Sequence, residues 1–230
     1  MELDYEKQAE EFNNIWANRR QPPIITTSWI DNDWAKGRRN YLTFLIRVHD
    51  QDIIDEIKQI QSKLAEYDCV DPLPAGYFHM TVKELDAFLV PEKKEPDEYT
   101  EEEIPALIES AREKLADFKP FEGRLGHLNN FKSVVCVQVH DGGQIRELNG
   151  VLMQIPGVRK LRNDYPRFLP HVSIALYKSS NDYDSLINHL EGIRDTVIGK
   201  LRVDTVELVI AELPRMGEYP KLKTVEEFRL

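Results

Sequence analysis

Apolar positions along the chain follow two rhythms, a period of two that is typical of strands and a spacing of three to four that is typical of helices. Residues 41–48 and 133–139 form apolar, strand-like runs, and each run is followed by an aspartate, Asp50 or Asp141, suited to cap a helix. The helical spacing then appears at Ile53, Ile57, Ile60 and Leu64 and again at Ile145, Leu148 and Leu152. The pattern predicts two successive strand–helix units.

Each unit leads into a second strand that carries a histidine. Residues 77–82 and 171–177 are rich in β-branched, aromatic and other apolar side chains, and prolines or a glycine precede both runs. The two Val-His-Asp triplets lie 91 residues apart, at His49 and His140, and the strand histidines His79 and His171 lie 92 apart. Two features that recur at nearly one spacing predict a repeat of two related β-α-β lobes.

Further elements complete an α+β fold. Helices are predicted near residues 101–118 and 183–193, and strands at 121–128, 201–211 and 224–230. We therefore expect a bilobal domain, residues 41–230, in which two pseudo-symmetric β-α-β lobes with antiparallel-containing sheets surround a central cleft. The cleft would carry both histidine strands.

Residues 1–40 have no counterpart in the second lobe, so they are predicted to be an extension, a helix plus a loop, that packs on the body. A stripe at helical spacing marks the helix, and Pro22-Pro23 is expected to end it. Trp29 and Trp34 follow in a polar loop, where a hydrophobic latch is favoured over stacking on a base. The stripe consists of Tyr5, Ala9, Phe12 and Trp16.

Composition limits the class of protein and the cellular compartment that the sequence suits. A chain of 230 residues with 41% hydrophobic content can bury a substantial core. No apolar run is long enough to span a bilayer, and the acidic start does not resemble a secretory signal. The two cysteines, Cys69 and Cys136, show neither metal-ligand spacing nor a disulfide framework, which favours the reducing cytoplasm. No obligate protein partner is evident.

The net charge of −10 disfavours a protein that coats long nucleic acid, because such binding neutralises many phosphates. A small phosphorylated ligand held by a local basic patch is compatible with it. Residues 36–39 and 159–162 are basic clusters, for which solvated surface charge is the favoured interpretation. Arg167 is the exception, since it shortly precedes His171.

The strings His79-Met80-Thr81 and His171-Val172-Ser173 carry the candidate chemistry. Side chains at i and i+2 of a strand share a face, so each string offers an imidazole beside a hydroxyl. A lone strand histidine is more often structural, but two in repeat register favour a functional pair. No third ligand stands at a spacing diagnostic of a metal site, so we expect neither metal nor cofactor.

The paired motifs resemble those of the 2H phosphoesterase superfamily, which includes the 2′-5′ RNA ligase-like proteins and the cyclic phosphodiesterases. The resemblance extends from about Tyr41 onward and includes residues 121–128 and the Arg-Phe-Leu-Pro-His-Val-Ser run from Arg167 to Ser173. It implies a substrate with a 2′,3′-cyclic phosphate, an RNA terminus or a small cyclic nucleotide, and a product that keeps the 2′-phosphate. 2′-5′ RNA ligase-like activity and a non-catalytic module that binds RNA ends or nucleotides are the alternatives.

The chemistry of such a reaction suits these residues. One histidine would take a proton from water and the other would give one to the leaving ribose oxygen, while Thr81 and Ser173 would donate to the phosphoryl oxygens. Which histidine is the base stays open. Four neighbours are candidate substrate contacts, with ordinary surface roles as the alternative, and even spacing is expected to put two of them, Lys83 and Tyr177, on the histidine faces. The four are Tyr77, Lys83, Arg167 and Tyr177.

Overall fold

A computed structural model describes residues 4–25, 35–213 and 219–230. The helices in these ranges are α1 (Tyr5–Trp16), α2 (Gln51–Leu64), α3 (Ile104–Leu115), α4 (Gln144–Leu152) and α5 (Tyr183–Ile193), with a 3₁₀ turn at Ala75–Tyr77. The strands are β1 (Asn40–Arg47), β2 (Val70–Pro72), β3 (His79–Leu89), β4 (Glu98–Tyr99), β5 (Phe121–Phe131), β6 (Val134–His140), β7 (His171–Tyr177), β8 (Val197–Val203), β9 (Thr205–Glu212) and β10 (Lys221–Arg229).

The strands form one mixed, largely antiparallel sheet in the order β10-β9-β1-β3-β7-β6-β5-β8, with β2 beside β7 and β4 beside β3. Among the strands that the structure describes, only the short β3–β4 pair is parallel. The predicted α+β class is therefore confirmed. The two expected lobes are halves of this single sheet, which meet where β3 lies against β7, rather than carriers of separate sheets.

The chain crosses between the halves more than once. After β1 and β3 it builds β5 to β8 in the second half, and it then returns to add β9 and β10 to the edge of the first half. The predicted strand at residues 201–211 is wrong in this respect, because the chain ends β8 at Val203 and begins β9 at Thr205. Asp204 marks the crossing, and the two strands lie in opposite halves of the sheet.

Local sequence explains where the central helices begin. The Asp50 carboxylate accepts hydrogen bonds from the backbone N–H groups of Asp52 and Ile53 and so caps α2 as expected. Asp141 differs from the expectation, because the residue that caps α4 is Gly143. The Asp141 carboxylate supports the start of the helix from two residues further back, where it accepts from the N–H groups of Gly143 and Ile145. The apolar stripes of both helices are buried in the main core.

The N-terminal helix α1 packs on the cleft side of β5 and β6, with Phe12 and Trp16 buried. Gln8 is buried as well, and its side-chain amide donates to the Asp141 carboxylate. The helix ends at Trp16, so Pro22-Pro23 does not terminate it as expected. Trp29 and Trp34 lie outside the described residues.

Both cysteines are buried and free. Within the described ranges, no helix has the length and apolar content needed to cross a membrane.

Candidate active site

The site lies where the two halves of the sheet meet. Strands β3 and β7 run antiparallel and are in register at Met80 and Val172, whose side chains are fully buried. Because side chains alternate along a strand, the neighbours on either side of these two residues point to the opposite, cleft face. The register places His79 across from Ser173 and Thr81 across from His171.

All four side chains line one cavity of about 320 Å³. Each histidine therefore has the hydroxyl of the opposite motif across the junction as well as the hydroxyl of its own strand. The remaining wall includes Tyr77 and Glu84 from the first half and a rim of residues that precede β7. The rim residues are Leu161, Arg162, Asn163, Asp164 and Phe168.

The two imidazoles are oriented in the same way. Nδ1 of His79 lies 2.6 Å from the carbonyl oxygen of Tyr77, and Nδ1 of His171 lies 2.9 Å from that of Leu169. A carbonyl only accepts, so each Nδ1 carries the proton and donates. Nε2 is then the ring nitrogen of each histidine that is left for chemistry in the cavity.

Both histidines are held neutral. Burial is the main cause that lowers the pKa of His79 to about 4, and the charge of Arg47 and the proximity of His171 add to it, against the hydrogen bond to Tyr77. Burial likewise lowers the pKa of His171, opposed by its hydrogen bond to Leu169. Before a ligand binds, the cavity therefore presents two neutral imidazoles at pH 7.

A β-bulge follows each motif at the same place. The pairing of β1 with β3 passes over Val82, between the pairs Leu45–Thr81 and Phe44–Lys83. The pairing of β6 with β7 passes over Ile174, between Cys136–Ser173 and Val135–Ala175. A bulge adds one residue and reverses which later side chains face the cleft.

The bulges correct the expectation for Lys83 and Tyr177. Even spacing from the histidines put both on the cleft face, but both side chains are fully buried on the other face. The Lys83 ammonium donates to the Asp164 carboxylate at 2.7 Å, and the Tyr177 hydroxyl donates to the Asn130 side chain. Their cleft positions are taken by Glu84 and Leu176, which both line the cavity.

The other two candidate contacts differ in their placement. Tyr77 belongs to the 3₁₀ turn rather than to the strand, yet its ring lines the cavity and stands edge-on to the His79 ring at 4.9 Å. Arg167 is exposed and is absent from the cavity wall, whereas Arg162 is part of it. Arg162 belongs to the basic cluster at residues 159–162, for which the sequence favours solvated surface charge.

Glu84 is the residue that sequence reasoning missed most clearly. It lines the cavity beside His79 and Thr81 with an exposed side chain, and the surrounding walls raise the pKa of its carboxyl group by withdrawing it partly from water. The sequence carries no signal for the bulge at Val82. The strand period alone therefore predicted Lys83, rather than Glu84, on the cleft face.

A buried network fixes the rim of the cavity to β3. The Asp164 carboxylate accepts from Lys83, from the Asn149 amide and from the backbone N–H of Leu161. The Asn149 amide also donates to the carbonyl of Val82, at the bulge itself. This network holds the bulge, α4 and the rim together.

Among the residues that the structure describes, no group of three or more His, Cys, Asp or Glu side chains is arranged to hold a metal ion. Glu84, Asp86 and Asp164, acidic residues near the histidine motifs in the sequence that could contribute metal ligands, form no such group.

The sequence matches the 2′-5′ RNA ligase superfamily over residues 50–213, which is more than half of the chain. The chain therefore belongs to this superfamily, whose members are the 2H phosphoesterases. No curated protein sequence matches the chain.

Solved structures share the fold. TT0787 of Thermus thermophilus is 20% identical with a TM-score of 0.61, over 83% of this chain and 97% of that one. LigT of E. coli in complex with 3′-AMP is 16% identical with a TM-score of 0.58, over 84% and 98%. ATU0111 of Agrobacterium tumefaciens, a protein of unknown function, is 15% identical with a TM-score of 0.52, over 94% and 99%.

Replacing Lys83 with methionine should destabilise the protein. Lys83→Met keeps the apolar stem but leaves the buried Asp164 without its cation, which typically costs about 3–5 kcal/mol. Urea unfolding of Lys83→Met against wild type measures the loss. Lys63→Met is the matched control, since the Lys63 side chain is 64% exposed and its ion pair with Glu66 contributes little. A loss below about 1 kcal/mol in Lys83→Met would contradict the role of the network.

The lowered pKa of His79 predicts a pH-dependent stability. Between its pKa of about 4 in the folded protein and the ordinary 6.5, the unfolded chain binds a proton that the folded protein does not. The free energy of unfolding should therefore fall between pH 7.5 and pH 4.5, with a contribution from His79 of about 1–3 kcal/mol.

The His79→Asn variant lacks the titrating group. Its free energy of unfolding should therefore fall by about 1–3 kcal/mol less than that of wild type over the same pH range. Urea unfolding of both proteins at the two pH values gives the comparison. Equal losses in wild type and variant would show that His79 is not held neutral by the fold.

Proposed function

We propose that this chain is a metal-independent phosphoesterase that opens 2′,3′-cyclic phosphates on RNA termini or small nucleotides by two-histidine general acid–base catalysis, leaving a 2′-phosphate. The observation that carries the proposal is the equivalence of the two imidazoles. Each donates through Nδ1 to the carbonyl two residues earlier and leaves Nε2 for the same cavity.

The reaction needs one proton acceptor and one proton donor. As water attacks phosphorus, Nε2 of one histidine takes its proton, the bond from phosphorus to the 3′ oxygen breaks, and Nε2–H of the other histidine protonates that oxygen. Each histidine ends in the protonation state that its partner had at the start. Exchange with solvent restores the pair.

Thr81 and Ser173 suit the stabilisation of charge on the non-bridging oxygens. Their hydroxyls line the cavity from opposite strands, so they can donate to the phosphoryl group from two sides. Arg162 on the rim adds a positive charge to the same cavity. LigT of E. coli, which shares the fold, has been crystallised with 3′-AMP and with phosphate, in keeping with a phosphate-sized ligand here.

The neutral state of the histidines fits this scheme when the substrate's charge is included. A phosphodiester anion between the two imidazoles favours the protonated form, so binding raises the pKa of the histidine that must act as the acid. The free protein thus supplies the neutral histidine that acts as the base, and the bound substrate favours the protonated histidine that acts as the acid.

Membership of the 2′-5′ RNA ligase superfamily makes ligation the second candidate. A 2′-5′ joining reaction would use the same pair of histidines, with a ribose hydroxyl in place of water as the nucleophile.

Removing either histidine should abolish turnover. We expect His79→Ala and His171→Ala each to lower kcat for a nucleoside 2′,3′-cyclic monophosphate by about a hundredfold or more, since each loses one proton-transfer step. His49→Ala is the control, because that side chain is 78% exposed and lies outside this cavity. The assay uses EDTA-treated protein, and phosphorus NMR identifies the product.

Two outcomes would contradict the proposal. One is turnover that survives in both histidine variants. The other is wild-type protein that is inert yet binds a cyclic nucleotide equally well with and without the histidines, which would favour the non-catalytic binding module.

The pH profiles of kcat and kcat/KM should differ. The kcat/KM profile reports the free enzyme, in which the pKa values of both histidines are lowered, so it should already decline as pH rises through 6.5 because the protonated acid is lost. The kcat profile reports the complex and should be displaced to higher pH by the bound anion. Coincident profiles would show that the substrate does not raise the pKa of the acid.

A further inference from the structure

We call the cavity of about 320 Å³ that His79 and His171 line the phosphate cavity. The cleft continues from it along both halves of the sheet, and α1 covers the second half. Directly paired residues share a face, so Gln138, opposite His171 on β6, faces the cleft, and Cys136 and His140 do so at even spacing. On β5, Asn129 and Arg124 face the cleft by their pairing with Cys136 and His140.

Contacts of α1 fall on these cleft-facing positions. The Phe12 ring lies 5.2 Å from the His140 ring, and the Phe12 carbonyl accepts from the Asn129 amide. The Tyr5 ring lies 5.4 Å from the Arg124 guanidinium carbon. Cys136 and Gln138, between these contacts and His171, are buried. The helix thus occupies the surface on which a ligand in the second half would lie. Its Tyr5 ring also packs against the Arg124 guanidinium there.

The wall formed by α1 reaches the active site itself. The ring centroids of Phe12 and Phe131 are 6.5 Å apart, and the Phe131 ring lies 4.5 Å from the His171 ring. This row of three rings closes the cavity on the second-half side directly beside the imidazole. Among the described residues, a ligand phosphate next to His171 is therefore bounded on that side by the Phe131 ring and, behind it, by Phe12 of α1.

In the first half of the cleft, the described residues form a cavity with acidic side chains. A second cavity, of about 340 Å³, shares Tyr77, His79, Thr81 and Glu84 with the phosphate cavity. Its other lining residues are Tyr41, Thr43, Asp86, Ala211, Leu213, Pro220 and Leu222. Two carboxylates, Glu84 and Asp86, stand there, and no lysine or arginine is among its described lining residues. Asp86 forms an ion pair with Arg159 at 2.6 Å, so Glu84 is the carboxylate whose charge is left to act on a ligand there.

The distribution of charge limits the number of phosphates. Arg162 is the one lysine or arginine side chain in the described wall of the phosphate cavity. Every further nucleotide of an RNA strand adds a phosphate charge that must be neutralised or kept in solvent. In this cleft such a phosphate would lie near the Glu84 carboxylate on one side or against α1 on the other.

Resting on the proposed function, we infer that the substrate is a nucleoside 2′,3′-cyclic monophosphate or a compound of that size with one phosphate, and that RNA ends are excluded by α1 and by the Glu84 carboxylate. Single cavities of this volume are typical of small-ligand sites. The N-terminal extension is thereby a specificity element of the active site.

The first test compares substrates of different length with the full-length protein. We expect kcat/KM for a nucleoside 2′,3′-cyclic monophosphate to exceed that for a trinucleotide and a pentanucleotide with the same cyclic 3′ end by about tenfold or more, a difference of roughly 1.4 kcal/mol. Equal or higher kcat/KM for the oligonucleotides would overturn the inference.

A charge variant tests the contribution of the Glu84 carboxylate. Glu84→Gln should narrow the ratio of mononucleotide to trinucleotide kcat/KM by about two- to fivefold, as expected for one partly solvated like-charge contact. Glu92→Gln makes the same change in net charge on an exposed residue outside both cavities and should leave the ratio unchanged. An unchanged ratio in Glu84→Gln would show that the Glu84 charge does not help to exclude oligonucleotides, and this part of the inference would be wrong.

A binding experiment separates this inference from the proposed function. Titration calorimetry with a nucleoside 2′-monophosphate and with a 2′-phosphorylated trinucleotide needs no turnover, and the mononucleotide should bind about tenfold more tightly. If hydrolysis is absent but this preference holds, the catalytic proposal fails and the size limit stands. Equal affinity, with increased amide hydrogen exchange in α1 when the trinucleotide binds, would show that the helix moves aside and that the inference is wrong.

Discussion

The site depends on the junction of two strands that pair at Met80 and Val172. Those two side chains are buried, so the strand period forces the residues on either side of each onto the opposite face. An antiparallel junction then sets the histidine of one motif across from the hydroxyl of the other. The pseudo-symmetry of the repeat thus becomes the two-sided arrangement that in-line displacement at one phosphorus atom requires.

Two further features make the junction suitable for acid–base chemistry. The backbone carbonyls of Tyr77 and Leu169 fix the tautomer and the direction of each ring, and burial keeps both rings neutral. The bulges then shift the cleft-facing positions by one residue directly after each hydroxyl, from Lys83 to Glu84 and from Ala175 to Leu176. In the first half the bulge buries Lys83 against Asp164, so the cation that the strand period places near the phosphate supports the rim instead.

The sequence was sufficient for the larger features and insufficient for the finer ones. Helical spacing, capping aspartates and the 92-residue repeat predicted the central elements and the two histidine strands, because these depend on local period and composition. The bulges at Val82 and Ile174 depend on pairing with β1 and β6, so Lys83 and Tyr177 were assigned to the wrong face. The stripe on α1 predicted packing, but only the assembled sheet reveals that Phe12 packs on the cleft face beside Phe131.

The proposed mechanism requires two neutral imidazoles, both protonated on Nδ1, that present Nε2 to one phosphate. The most direct measurement is nitrogen-15 NMR of the histidine rings at pH 7, with the signals of His79 and His171 assigned from His79→Asn and His171→Asn. The account predicts the Nδ1–H tautomer for both and a change in both Nε2 shifts when inorganic phosphate is added. An Nε2–H tautomer at either position, or a response to phosphate from only one ring, would contradict it.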